Sequence, residues 1–193
     1  MNIIYLHGFA SSPSSMKAQM LQFYCDQNAD LTLHLPNLNM PVQQALLNIS
    51  ELINRLSDVV LIGSSLGGFY ATQMVAKHDV PAVLINPAVR PWQLFRDLYG
   101  DDQLPYVVHP NWTLDHAQLD ELAQHAVSKV HDFSKVLVLL QQGDEVLNYR
   151  EALDYYSGIH PAMLMCETHG NHAMDDFAAK IPLALQFLSD CLK

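Results

Sequence analysis

Cations are scarce in this chain. Lys and Arg number 10 against 20 Asp and Glu, the formal net charge is −10 with histidine neutral, and only 16% of the 193 residues are charged. A surface of that sign repels phosphate backbones and anionic headgroups, so neither nucleic acid nor a membrane surface is expected as a partner. Cysteine is also sparse: Cys25, Cys166 and Cys191 are far apart and form no CxxC pair. Exported domains of this size usually pair their cysteines, so reduced thiols and a cytoplasmic setting are expected. The first residues, Met1 to Leu6, lack the basic stretch and cleavage site of a signal peptide. No apolar run nears the ~18 residues of a membrane-spanning helix. Repeats and low-complexity tracts are missing as well. What is present is a chain that is 50% hydrophobic, long enough for one core and expected to form a single domain over 1–193. Nothing in it specifies an oligomeric state.

Short apolar runs alternate with helical patterns. The runs lie at 3–6, 31–35, 59–62, 82–85, 136–140 and 162–165. Most are continuous rather than alternating, as strands covered on both faces should be. Val42, Ala45, Leu46, Ile49, Leu52, Ile53 and Leu56 recur at helical spacing behind Pro41, which suits a first helical position. Met16, Met20, Phe23 and Tyr24 mark an earlier helix, and 66–77 a further one. Asn148 and Glu151 have capping-box spacing before a short helix. Phe177, Ile181, Leu185, Leu188 and Leu192 mark the last, with Pro182 expected to bend it or reset its start. Alternation of this kind predicts an α/β fold: about six parallel strands, order 2-1-3-4-5-6, with helices on both faces.

One interval breaks the rhythm. From 88 to 133 no good strand is evident, and the segment is too long for an ordinary loop. It is rich in aromatics, including Trp92, Phe95, Tyr99, Tyr106 and Trp112, and a helix fits 115–128. It is expected to form a helical cap folded over the edge of the sheet.

The sharpest motif is Gly63-Ser64-Ser65-Leu66-Gly67, directly after the apolar run and before a helical stretch. Three fixed positions alone match by chance in about 5% of chains this long, so the strand-turn-helix context carries the weight. A GxSxG serine belongs on a tight strand-to-helix turn, where side chains at the flanking Gly63 and Gly67 would clash. The turn presents the Ser65 hydroxyl beside helix N–H groups. A serine hydroxyl is a weak nucleophile and requires a base, which in turn requires an orienting acid. With this type of elbow the acid and base follow in that order, on loops after later strands. Asp144 follows the run at 136–140, and His172 lies in a glycine-containing loop before the last helix. Glu145 competes for the role of acid and His169 for that of base. His169 and His172 lack the third ligand of a metal site, so no metal is expected. The Leu66 N–H, and the Phe9 N–H from the loop after the first strand, are placed to form an oxyanion hole. His7 is expected to brace that loop, and Ser11 and Ser12 to cap the helix behind it.

Five separated blocks now stand in order: Tyr5-Leu6-His7-Gly8-Phe9, Gly63 to Ala71, Asn86 to Pro91, Gly143 to Arg150, and Gly170-Asn171-His172-Ala173. With them the chain resembles the α/β-hydrolase superfamily, and looks most like the small bacterial YqiA-like esterases. The resemblance departs at Met174, where an aromatic is expected, and is weakest over 98–132. It implies Ser65 as nucleophile, Asp144 as acid and His172 as base, and hydrolysis of short acyl esters without metal or cofactor. The expected partner is a small-molecule acyl ester or thioester. Acyl thioesterase activity on the same residues is one alternative; a binding module that retains the fold is another. The excess of negative charge disfavours anionic substrates unless Arg90 and Arg96 gather at the cleft.

Overall fold

In the computed structural model, residues 1–100, 102–127, 132–158 and 160–193 are described. Among the described residues eight strands form: β1 (Asn2–Leu6), β2 (Thr32–His34), β3 (Val59–Ser64), β4 (Ala82–Ile85), β5 (Tyr106–His109), β6 (Trp112–Leu114), β7 (Val136–Gln141) and β8 (Met163–Glu167). The helices are α1 (Met16–Cys25), α2 (Val42–Arg55), α3 (Leu66–His78), α4 (Pro91–Tyr99), α5 (His116–His125), α6 (Tyr149–Tyr156) and α7 (Phe177–Asp190). Six strands make one sheet in the order β2-β1-β3-β4-β7-β8, parallel at every pairing. That is the expected order, with the β5–β6 pair standing outside it. None of the helices among the described residues is long and apolar enough to cross a membrane.

Why the central runs are continuous is visible in their burial. Every residue of β3, β4 and β7 is buried. Successive side chains of a strand point to opposite faces, and here each face has its own apolar layer. Ile4, Leu6 and Leu61 pack toward α2 and α3, whereas Ile3, Tyr5, Val60 and Ile62 pack toward α1 and α7. Both edge strands are less buried than the centre, and the two runs that mark them in the sequence miss their observed bounds by one or two residues.

The structure corrects the sequence reading in four places. First, the apolar face of α1 centres on Ala18, Leu21 and Cys25; Met20 and Tyr24 pack beside it, as expected, but Met16 and Phe23 are 67% and 71% exposed. Ala18, Leu21 and Cys25 share one apolar layer with Ile3, Tyr5 and Val60. Second, 88–133 contains a strand pair, the antiparallel hairpin β5–β6, as well as the unanticipated helix α4, which opens on Pro91. The hairpin escapes the alternation test because Tyr106 and Val107 of β5 are both exposed, and because β6 is only three residues long, with Trp112 and Leu114 buried. Third, α5 begins as expected, with the Asp115 carboxylate accepting from Gln118 N–H. It ends at His125, and Ser128 and His131 lie outside the described residues. Fourth, Asn148 caps α6 by accepting from Arg150 N–H, but Glu151 does not complete a capping box; it pairs with Arg90 at 3.0 Å. In α7 the helix runs through Pro182 without a new start.

Candidate active site

Ser65 stands between β3 and α3 with φ 55° and ψ −119°, a backbone conformation that L side chains rarely adopt. Only close approach of the two flanking segments permits it. A Cβ on Gly63 would collide with the Gly67 carbonyl, and one on Gly67 with the Leu6 carbonyl. The turn is locked by Ser65 N–H donating to Ile85 O at 3.0 Å and by Gly68 N–H donating to Ser65 O at 2.9 Å.

Two loops from distant parts of the chain meet this serine. His172 Nε2 lies 3.1 Å from Ser65 Oγ, and His172 Nδ1 lies 2.8 Å from Asp144 Oδ2. The Asp144 side chain is 2% exposed and that of His172 21%. The other Asp144 oxygen accepts from Val146 and Leu147 N–H, each at 2.8 Å. Glu145 does something else: its carboxylate accepts the His172 backbone N–H at 2.9 Å. His169 is exposed and is not part of this chain of contacts. The two loops touch because neither residue of a glycine pair has a side chain there; a Cβ on Gly143 would strike the Gly170 carbonyl.

Two residues that hold the His172 loop, Asn86 and Gln141, were not singled out by sequence reasoning. Asn86, buried at the end of β4 with φ 39°, donates from Nδ2 to Asn171 O at 3.0 Å and His172 O at 3.2 Å. Its Oδ1 accepts from Gln141 N–H at 3.0 Å, and Gln141 Oε1 accepts from Asn171 N–H at 3.0 Å. Asn is one of the few residues that tolerate positive φ, and an Asn-Pro pair at a strand end is the signal that marks it. Behind them Gln141 Nε2 donates to Glu167 at 2.8 Å and Asp176 at 2.9 Å. Buried Lys180 ion-pairs with both carboxylates. Burial pulls the Lys180 ammonium down, but Asp176 and Glu167 outweigh it and leave its pKa raised.

The loop after β1 carries His7, 1% exposed. Leu38 N–H donates to His7 Nε2 at 3.0 Å, so His7 Nδ1 carries the proton and donates to Gly8 O at 2.9 Å. Burial lowers its pKa, and this outweighs the Gly8 and Asn37 hydrogen bonds. His7 therefore braces the loop in its neutral form. Ser11 and Ser12 do not cap α1: Ser12 bonds Ser14 and Ser15, whereas the Ser11 carbonyl takes Asn39. Gly8 lies against Ser65, where an added Cβ would come within 3.2 Å of the serine Cβ. Among the described residues the Phe9 and Leu66 N–H groups have no protein acceptor. The Phe9 ring is gripped by the 88–133 interval, with Phe95 at 4.4 Å and Trp112 at 5.7 Å between centroids.

A cavity of about 210 Å³ opens at Ser65 and His172, with Tyr5, Phe9, Met16 and Lys17 among its walls. A larger cavity of about 610 Å³, between α3, α6 and the interval 88–127, includes neither Ser65 nor His172 in its lining. Arg90 and Arg96 do not gather at the serine: they pair with Glu151 and with Asp120 at 2.5 Å. Met174 fills a buried position beside Phe177, so the departure from an aromatic is accommodated by packing.

A six-stranded parallel sheet with a serine elbow after its third strand, and acid and histidine loops after later ones, defines the α/β-hydrolase fold. Within that class the chain belongs to the Uncharacterised protein family (UPF0227), which matches residues 2–189. A UPF0227 protein of Shewanella woodyi is 30% identical over 165 residues, covering 80% of this chain and 82% of its own. Among solved structures, mouse alpha/beta hydrolase domain-containing protein 10 superposes with a TM-score of 0.76 at 17% identity, over 100% of this chain and 90% of that one. Est1E of Butyrivibrio proteoclasticus, with ferulic acid bound, gives 0.71 at 15% identity, over 99% and 88%. At these identities the structural likeness is one of fold.

Proposed function

We propose that the protein is a serine hydrolase that cleaves short acyl esters through an acyl-enzyme. The observation that supports this best is the unbroken contact chain from Ser65 Oγ through the His172 ring to the buried Asp144 carboxylate, 3.1 Å and 2.8 Å. In the proposed reaction Ser65 Oγ attacks the acyl carbonyl and His172 Nε2 takes its proton. Asp144 holds the ring in the tautomer that leaves Nε2 free, and stabilises the imidazolium. The Leu66 and Phe9 N–H groups receive the oxyanion. As the C–O bond breaks, the leaving alcohol takes the proton from Nε2. Water then attacks the acyl-serine with His172 as base, releasing the acid and restoring Ser65. Every group invoked is supplied by the chain.

The fold likeness agrees with this reading, since a Pyrococcus furiosus protein of similar fold is described as an esterase. The cavity at Ser65 is small, about 210 Å³, which favours short acyl groups. We place the protein in the cytoplasm, consistent with three cysteines that form no disulfide. Ser65→Ala is expected to lower kcat on a short p-nitrophenyl ester by roughly 10⁶-fold while leaving the circular-dichroism spectrum and Tm in place. Turnover of the folded variant near the wild-type rate would overturn the assignment of the nucleophile.

A further inference from the structure

Lys17 is the exception among the cations. Each of the other lysines and arginines among the described residues has an ion pair, a hydrogen bond or a ring beneath it. Lys17 has none of these, yet it is half-buried, on the first turn of α1, and lines the same cavity as Ser65 and His172. Burial pulls its pKa down, while the more distant Asp175 and Asp144 pull it up. Asp175 lines the same cavity, yet neither carboxylate forms an ion pair with it. Asp144 is engaged by His172 and two backbone N–H groups, and Asp175 accepts from Asn171 Nδ2 at 2.7 Å. Partial withdrawal of an ammonium from water without a partner is unfavourable, and an anionic group brought by a ligand relieves that cost. The position has no other evident reason for a lysine: in a chain with twice as many acidic as basic residues, an apolar residue would fill this wall more cheaply.

We propose that Lys17 determines substrate choice, by pairing with a carboxylate carried on the ester that Ser65 attacks. The inference rests on the hydrolase reading and narrows it to short esters bearing one negative charge. Lys17 shares one cavity with Ser65 and His172; the carboxylate can belong to the acyl part or to the alcohol part, and two substrate arms separate these sources. The acyl arm compares monoethyl succinate with ethyl butyrate. The alcohol arm compares O-butyrylglycolate with ethyl butyrate. Hydrolysis is followed by pH-stat in the wild type, Lys17→Met and Lys17→Arg.

In at least one arm the wild type is expected to prefer the charged ester in kcat/KM, and Lys17→Met to lower that charged-to-neutral ratio by roughly ten- to a hundredfold. Lys17→Arg retains most of the ratio, and added salt lowers it in the wild type. A wild type that favours ethyl butyrate in both arms overturns the proposal. So does a ratio that moves less than twofold in Lys17→Met, or one that Lys17→Arg loses as fully. Should Lys17→Met turn over no ester, the wild-type preference and its salt dependence decide alone. The two readings fail separately. Cleavage of ethyl butyrate with no charge preference removes this inference only; a wild type that cleaves none of the three esters removes the hydrolase reading.

Discussion

Asp144 and Glu145 are adjacent carboxylates that hold one histidine in different ways. Asp144 meets the imidazole itself at 2.8 Å, whereas Glu145 accepts from the His172 backbone at 2.9 Å. On the proposed mechanism only the first sets the tautomer and stabilises the charge that develops on the ring. Asp144→Asn is therefore expected to lower kcat/KM by roughly 10³- to 10⁴-fold. Glu145→Gln keeps an acceptor for the His172 N–H and is expected to cost less than about tenfold. Steady-state kinetics on one short ester decide it, and a larger loss in Glu145→Gln would reverse the two assignments. Ser65, Asp144 and His172 were legible as candidates because each sits in a local context that can be read along the chain: an elbow motif, a strand end, a loop before a helix. Lys17 was not legible, since what distinguishes it is the lack of a partner in space. Arg90 and Arg96 show the converse. Both are basic residues near the aromatic interval, and both are taken up by acidic residues on other elements.

At the scale of elements, the loop after β1 depends on a histidine that never faces the reaction. His7 joins the Gly8 carbonyl to the Leu38 N–H, so the segment leading to Phe9 is tied to the chain entering α2. Burial keeps the His7 pKa below its ordinary value of 6.5. As pH falls through 6.5 the unfolded chain takes up this proton before the folded one, so stability declines below 6.5 until the folded pKa is passed. His34 and His78, also lowered by burial, add to the same trend. His7→Gln is expected to be less stable than the wild type at pH 7.5 and to lose less between pH 7.5 and 5.5. Urea unfolding at the two pH values measures both quantities; equal losses in the two proteins would contradict the account. The strands were legible where they are fully buried, because covering both faces writes a continuous apolar run. The β5–β6 hairpin was not, because its partners are rings from elsewhere: Tyr99 stacks on Tyr106 at 4.6 Å and Phe9 meets Trp112. The face of α1 was misread for a related reason. Close packing against a sheet selects small residues, and Ala18 and Cys25 weigh little in a pattern judged by large side chains.

For the molecule as a whole, the sheet order was legible because alternation of strands and helices leaves few topologies. That order brings the ends of β3, β7 and β8 to one rim, and the contacts at Ser65 follow from it. The interval 88–127 is tied to the same rim through the ring of Phe9, so that interval and the proposed oxyanion donor share an anchor. The central claim is that this rim carries a reactive serine. Its most direct test is incubation of the folded protein with a fluorophosphonate probe, followed by peptide mapping in a mass spectrometer. The expected result is one adduct, on Ser65, absent from Ser65→Ala and formed far more slowly in His172→Ala. A folded wild type that takes up no probe, or takes it up at another residue, would contradict the account.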